Sequence, residues 1–241
     1  MKTLNWNNQN VIAFTTTKNL GNMAFQVAAN KEEVLLNRET LKELTDLELD
    51  HIIFTHQSHS DITKEVALDD LGKGQYSFES GISADALYTK EKNIAIGVFH
   101  ADCVPIFLYH SIGLIAIIHA GFIGTNKHIT YKSIKYICEK ENINPNEFQA
   151  YIGPSRKLKS YVINEDEKQL VLNSNNQTFL LENEGGFSFD MAASNILDLI
   201  KIGVKLENIT NSNIDTVTNE DCFSAYKKTP VGRMVSIIKL K

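Results

Sequence analysis

Short apolar runs rich in Val, Ile, Phe and Tyr recur from one end of the chain to the other and alternate with segments of helical periodicity. The runs predict strands over 11–16, 51–55, 94–99, 103–109, 114–119, 148–152 and 235–240. Asn30 stands as an N-cap before the acidic pair Glu32 and Glu33, which predicts a helix over 31–45. Further helices are expected over 125–140 and over 190–202, the last opening at Asp190 and closing at Gly203. The polar, glycine-punctuated stretch 67–81 (ALDDLGKGQYSFESG) reads as a loop. Strands 94–99, 103–109 and 114–119 follow one another too closely to admit crossover helices. This predicts an antiparallel centre and an α+β class. No repeat, Gly/Ser linker or composition shift interrupts the pattern, so one domain over 1–241 is expected.

Composition narrows the function classes. With 43% hydrophobic residues, 22% charged residues, 4 prolines and 13 glycines, the chain is neither collagen-like nor disordered. Its 29 acidic residues against 24 basic ones give a formal charge of −5, which repels nucleic acid and anionic lipid but leaves room for a local basic patch that binds a small anion. The start, MKTLNWNNQN, has no apolar core or small-residue cleavage site, and no run approaches about 18 apolar residues, so a cytoplasmic protein is expected. Cys103, Cys138 and Cys222 are widely spaced and form no CxxC pair, which argues against a disulfide framework or a four-cysteine zinc cluster. Cys138 and Cys222 read as packing residues, and any metal site must recruit histidines.

Candidate chemistry concentrates in 98–125, VFHADCVPIFLYHSIGLIAIIHAGFIGT, where two apolar runs flank a short connection in the pattern of an antiparallel hairpin. A turn centred near Ser111 and Ile112 puts Cys103 opposite His119 or one place from it. Opposed residues share a face with Cβ atoms about 5 Å apart, close enough for a thiolate and an imidazole to share one metal ion. Upstream, THQSHS ends another apolar run, and the period of a strand would point Gln57 and His59 together, with His56 away from them. His59 is then a candidate third ligand. One cysteine and two histidines with an open fourth position is the donor set of catalytic zinc.

These residues also carry a resemblance. ADCVPIFLY, followed by HAGFIGT, preceded by HQSHS and ADALYT and followed by YIGPS and a tail of FSAYK and VGRM, resembles the YfiH-like laccase-domain family. The likeness runs from about residue 14 to residue 233. It implies a layered α/β sandwich with a mixed, largely antiparallel central sheet. It also implies zinc-dependent phosphorolysis of purine nucleosides, with adenosine deamination and methylthioadenosine cleavage as related activities, so the expected partners are a purine nucleoside and phosphate. By motif, the implied zinc ligands are His59, Cys103 and His119, the three that the hairpin argument selects. ADAL puts Asp85 near the site as a third catalytic candidate beside Cys103 and His119, although a capping aspartate would read the same way. Phe122, Ser155, Lys227 and Arg233 are the implied substrate-binding residues.

The departures from the family pattern bear on the anion. HAGFIGT replaces HAGWRGT, leaving Phe122 for a tryptophan and Ile123 for an arginine; Thr17 replaces another arginine, and Lys227 and Lys228 replace two more. An aromatic platform survives in Phe122, whereas a bidentate phosphate clamp does not survive in Ile123, so phosphate use is expected to be weakened. The loop Gly153-Pro154-Ser155 could offer amides and a hydroxyl to an anion. Arg38, Arg156 and Arg233 are the chain's arginines. Two rival readings stay open: a thiol-dependent amide or peptide hydrolase in cell-wall precursor editing, with Cys103 as nucleophile and His119 as base, and a non-catalytic purine-binding protein. Multicopper oxidation fits least, because one cysteine and two histidines cannot build a multinuclear copper cluster.

Overall fold

The computed structural model describes residues 2–183 and 186–241. Two large sheets pack face to face. The first has the strand order Thr3–Asn5, Val11–Thr16, Met234–Leu240, Ala95–His100, Ile52–Phe54. The second has the order Ile209–Asn211, Phe148–Ile152, Val104–His110, Leu114–Ala120, Ala86–Thr89, Thr63–Glu65. A small third sheet joins Val162–Ile163, Gly186–Phe189 and Leu180–Asn183. Among the described strands, parallel pairing is confined to the Ile52–Phe54/Ala95–His100, Thr63–Glu65/Ala86–Thr89 and Phe148–Ile152/Ile209–Asn211 pairs, with isolated parallel bridges at Thr55/Ile82 and Ser155/Asp215.

The period-2 geometry of a strand sorts its side chains between layers. In Val104–His110, Phe107 and Tyr109 meet Val11, Ile96, Val98 and Ile238 of the facing sheet, while Ile106 and Leu108 turn outward onto Ile134 of helix Ile129–Glu141 and Leu199 of helix Met191–Ile202. On the far side, Phe14, Ile52 and Ile237 pack beneath Leu41 of helix Lys31–Thr45. The result is helix, sheet, sheet, helix. Central strands are thus covered on both faces, which is why they read as near-continuous apolar runs, and each fully buried Leu, Ile or Phe contributes about 1.5–3 kcal/mol.

The α+β class and the layered sandwich hold. Helix Lys31–Thr45 keeps the predicted bounds, with Asn30 accepting from the Glu32 amide at 2.9 Å, and helix Met191–Ile202 is capped by Asp190 and stopped at Gly203 in the left-handed region. Three expectations change. Strands 94–99 and 103–109 do not share a sheet: Ala95–His100 pairs with Ile52–Phe54 and Met234–Leu240 in one sheet, Val104–His110 belongs to the other, and Ala101–Cys103 crosses between them. The expected helix 125–140 is two helices, Phe122–Asn126 and Ile129–Glu141, separated by His128 at φ 57°. A further helix, Glu165–Asn173, lies outside the predicted elements although Asn164 and Glu167 form its capping box. No helix among the described residues is long and apolar enough to cross a membrane.

Candidate metal and nucleoside site

The crossing at Ala101–Cys103 creates the site. Asp102 adopts φ 88°, a left-handed conformation costly for a residue with a Cβ, and its side chain accepts from Thr216 Oγ1 at 2.6 Å and from the Tyr226 amide at 2.8 Å. Those bonds lock the bend that delivers Cys103. The hairpin register differs from the expected one: Pro105, two places after Cys103, stands opposite His119, and Cys103 lies just before the strand begins. His59 is not on a strand. The chain leaves Ile52–Phe54 and bends, with His59 at φ 59°, while Gln57 is occupied by the backbone of Phe99 through bonds of 2.6 and 2.9 Å.

Asp85 makes the bend hold. Its carboxylate accepts from the amides of Ser58, His59 and Ser60 at 3.1, 3.0 and 2.7 Å, from Ser60 Oγ at 2.6 Å and from His119 Nδ1 at 2.8 Å. One buried side chain thus fixes the backbone of one donor and the tautomer of another, leaving His119 Nε2 for the site. One ligand atom each from His59, Cys103 and His119 lies within 4.8 Å of the others, with Cys103 Sγ 3.9 Å from His59 Nε2. Gly121, two residues after His119, lies at the closest approach: a Cβ there would stand 2.5 Å from His59 Cδ2.

The charges support one another. Burial raises the Asp85 carboxyl, but the hydrogen bond and charge of His119 and the bonds from Ser60 bring it down to about 2. Burial likewise opposes a Cys103 thiolate, yet His119 and His59 lower that thiol to about 6. His119 loses charge to burial and regains it from Cys103 and Asp85, ending up at about 9. By contrast, burial and Glu139 push Cys138 up to about 11, and burial and Asp221 push Cys222 up to about 12. In metal-free protein at pH 7, iodoacetamide should therefore label Cys103 well ahead of the other two, with a rate that rises through about pH 6 as the thiolate forms and falls when zinc is added. Peptide mapping of the labelled protein checks this, and equal labelling of all three cysteines would refute the assignment.

The three donors share a cavity of about 350 Å³ with Gln57, His100 and Arg233. Burial, His119 and Arg233 together hold His100 neutral, at about 3. Its Nε2 meets Ser236 Oγ at 2.8 Å, and its buried Nδ1 has no partner. Arg233 donates through Nη1 to the Gly232 carbonyl at 2.9 Å, and among the described residues no carboxylate pairs with it. The other expected substrate residues stand apart from this cavity. Phe122 stacks on Tyr161 at 6.3 Å and meets Phe189 at 5.8 Å on the helix side of the second sheet. Ser155 is fully buried, its amide bonded to the Ile214 carbonyl and its hydroxyl accepting from Lys157, so the Gly153-Pro154-Ser155 turn offers no free cradle at Ser155. Lys227 is on the exposed surface, two residues after Ala225, which does line the cavity. Ile123 is 38% exposed and faces a different, shallow pocket with Leu170 and Ser174, so the expected link between this position and phosphate finds no geometric support.

The pattern of the multi-copper polyphenol oxidoreductase laccase family matches residues 14–241. The chain belongs to that laccase family. Within it, the chain is 31% identical to a protein of Bacillus subtilis named purine nucleoside phosphorylase YlmD, over 98% of this chain and 91% of that one. Among solved structures, the Bacillus licheniformis hypothetical protein YfiH superposes with a TM-score of 0.90 at 26% identity, covering 96% of this chain and 93% of the other. YlmD from Geobacillus stearothermophilus matches with the same score and identity over 97% and 93%. Four cavity residues besides the donors carried no motif assignment in the sequence: Gln26, Phe78, Phe99 and His100. Of these, His100 adjoins the ADC string, and Phe78 lies within a stretch read as a loop, where no periodic signal marks a residue.

Proposed function

We propose that this chain, acting as one laccase-type domain over 1–241, is a zinc-dependent purine nucleoside phosphorylase with adenosine deaminase and methylthioadenosine-cleaving side activities. The reading rests above all on one observation: two imidazoles and a thiolate converge beside a guanidinium that has no carboxylate partner, all lining one cavity. The name of the Bacillus subtilis relative supports it. The donor chemistry suits a single zinc ion, since imidazole and thiolate are its usual ligands. It does not suit a multinuclear copper cluster, because the described residues contain one such group of three and no second. Free thiols fit a reducing compartment, consistent with the cytoplasm.

An ion held by His59, Cys103 and His119 would supply Lewis-acid charge to a bound group. The chain's own residues supply the rest. Arg233 provides a permanent cation for phosphate with its remaining donors, a role that Ile123 cannot take. Asp85 keeps the His119 Nδ1 proton in place throughout, so the ring neither flips nor changes tautomer during turnover. In phosphorolysis a phosphate oxygen bonds to the anomeric carbon as the bond from that carbon to the base nitrogen breaks, and the departing pair is neutralised by a proton on the base. Zinc-loaded protein incubated with phosphate and either inosine or adenosine should release free base and an equal amount of ribose 1-phosphate. Arg233→Met should raise the phosphate KM about tenfold or more while the nucleoside KM changes little. Base release that ignores phosphate would exclude phosphorolysis.

The closeness of Cys103 and His119 and the thiol that His119 lowers favour one second reading, a thiol hydrolase with Cys103 as nucleophile and His119 as base. That activity would survive chelation of metal, and phosphorolysis as proposed would not.

A further inference from the structure

Arg38 is 1% exposed and has no carboxylate partner among the described residues. Its guanidinium lies over the rings of Phe25, Phe54 and Phe99 at 4.4, 4.7 and 4.9 Å. It donates to the Met23 carbonyl at 2.9 Å and to the carbonyls of Gly74 and Gln75 at 2.7 and 2.6 Å. Burying an unpaired cation is costly, so the three carbonyls it gathers deserve an explanation beyond filling space. Those carbonyls belong to two segments that reach the cavity. Met23 lies just ahead of Gln26, and Gly74 and Gln75 lie just ahead of Phe78.

The segment around Phe78 has little regular structure of its own, yet it is pinned. Gly74 at φ 77° presses against Phe54, where a Cβ would meet the Phe54 Cβ at 2.8 Å. The Gly74 amide bonds Ser80 Oγ at 3.2 Å, Ser80 Oγ donates to the Ser77 carbonyl at 2.9 Å, and the Gly81 amide donates to the Phe78 carbonyl at 3.1 Å. The ring of Phe78 meets His56 edge to face at 4.5 Å. Two phenylalanines line the cavity; Phe99 is 1% exposed beneath Arg38, whereas Phe78 is only half-buried. Phe122, the ring expected from the sequence, is stacked elsewhere.

We propose that Phe78 is the aromatic platform against which the substrate's base lies, and that Arg38 is the positioning residue that holds the platform and the Gln26 wall in register. The proposal rests on the nucleoside reading above and assigns it the base-binding side of the cavity. A cavity of about 350 Å³ is within the range of small-ligand sites, and a flat purine gains most from a ring fixed in advance.

The test is steady-state kinetics on zinc-loaded protein with nucleoside and phosphate varied separately. Phe78→Leu should raise the nucleoside KM about tenfold, with the phosphate KM and zinc content within twofold of wild type, and Phe78→Tyr should keep the nucleoside KM at the wild-type value. Arg38→Met should reproduce the Phe78→Leu pattern with zinc retained; if that variant does not fold, the Phe78 pair decides alone. Wild-type turnover with an unchanged nucleoside KM in Phe78→Leu would overturn the platform and leave the activity standing. Absence of nucleoside binding and turnover in zinc-loaded wild type would overturn both.

Discussion

Cys103→Ala should bind well under one-tenth of the zinc held by wild type, about one ion per chain, and should lose at least about a hundredfold in kcat/KM for nucleoside phosphorolysis. The reason is the size of the donor set: removing one of three protein ligands leaves two imidazoles, one of them exposed on a bend. The fold should survive, because Cys103 is half-buried and its sulfur meets only the two imidazoles of the site, His59 at 3.9 Å and His119. His59→Ala separates the readings. Under the metal reading it should fail as Cys103→Ala does, whereas a thiol hydrolase using Cys103 and His119 should keep most of its rate. Metal analysis by mass spectrometry with activity on the same samples checks both variants, and full zinc retention by Cys103→Ala would remove the site as described.

Asp85→Asn should combine a metal defect with a stability defect. Five donors converge on this carboxylate, and replacing one oxygen by an NH₂ group leaves at least two of them without an acceptor in a fully buried place. The expected cost is about 2–4 kcal/mol, or roughly 5–15 °C in Tm for a chain of this size, with zinc affinity about 10- to 100-fold weaker. The defect should depend on pH. Asp85 is depressed in the folded state from its ordinary 3.8 to about 2, so its charge contributes stability that is complete above pH 3.8 and lost as pH falls through about 2. That shift corresponds to about 2 kcal/mol. In metal-free protein, the stability gap between wild type and Asp85→Asn should therefore narrow between about pH 4 and pH 2. Denaturant melts across that window measure it, and a gap that does not change would mean the carboxylate is not held as an anion.

Much of this site was legible because it is written in local strings. Cys103 and His119 sit at the ends of one hairpin, and hairpin pairing is a short-range property that two apolar runs and the short connection between them fix to within about two residues. His59 was selected with a mistaken geometry: the expected strand face does not exist, and a bend held by Asp85 delivers the ring instead. The sheet assignment of Ala95–His100 failed for a related reason. Close spacing of two strands excludes a helix between them, but it does not exclude a step from one sheet to the other, which here needs only Ala101–Cys103 and a left-handed Asp102. The cavity wall was the least legible part. Arg38, Gly74 and Phe78 are joined by contacts between distant segments, and no spacing rule connects a helix arginine to a ring in a polar loop.

The account is tested most directly by following free base and ribose 1-phosphate from inosine and adenosine with the metal removed and then restored. Zinc-loaded protein should release base in a phosphate-dependent reaction, chelation should abolish it, and added zinc should restore it. No release of base from either nucleoside by protein carrying a full complement of zinc, or undiminished release after the metal is stripped, would contradict a zinc-dependent nucleoside phosphorylase.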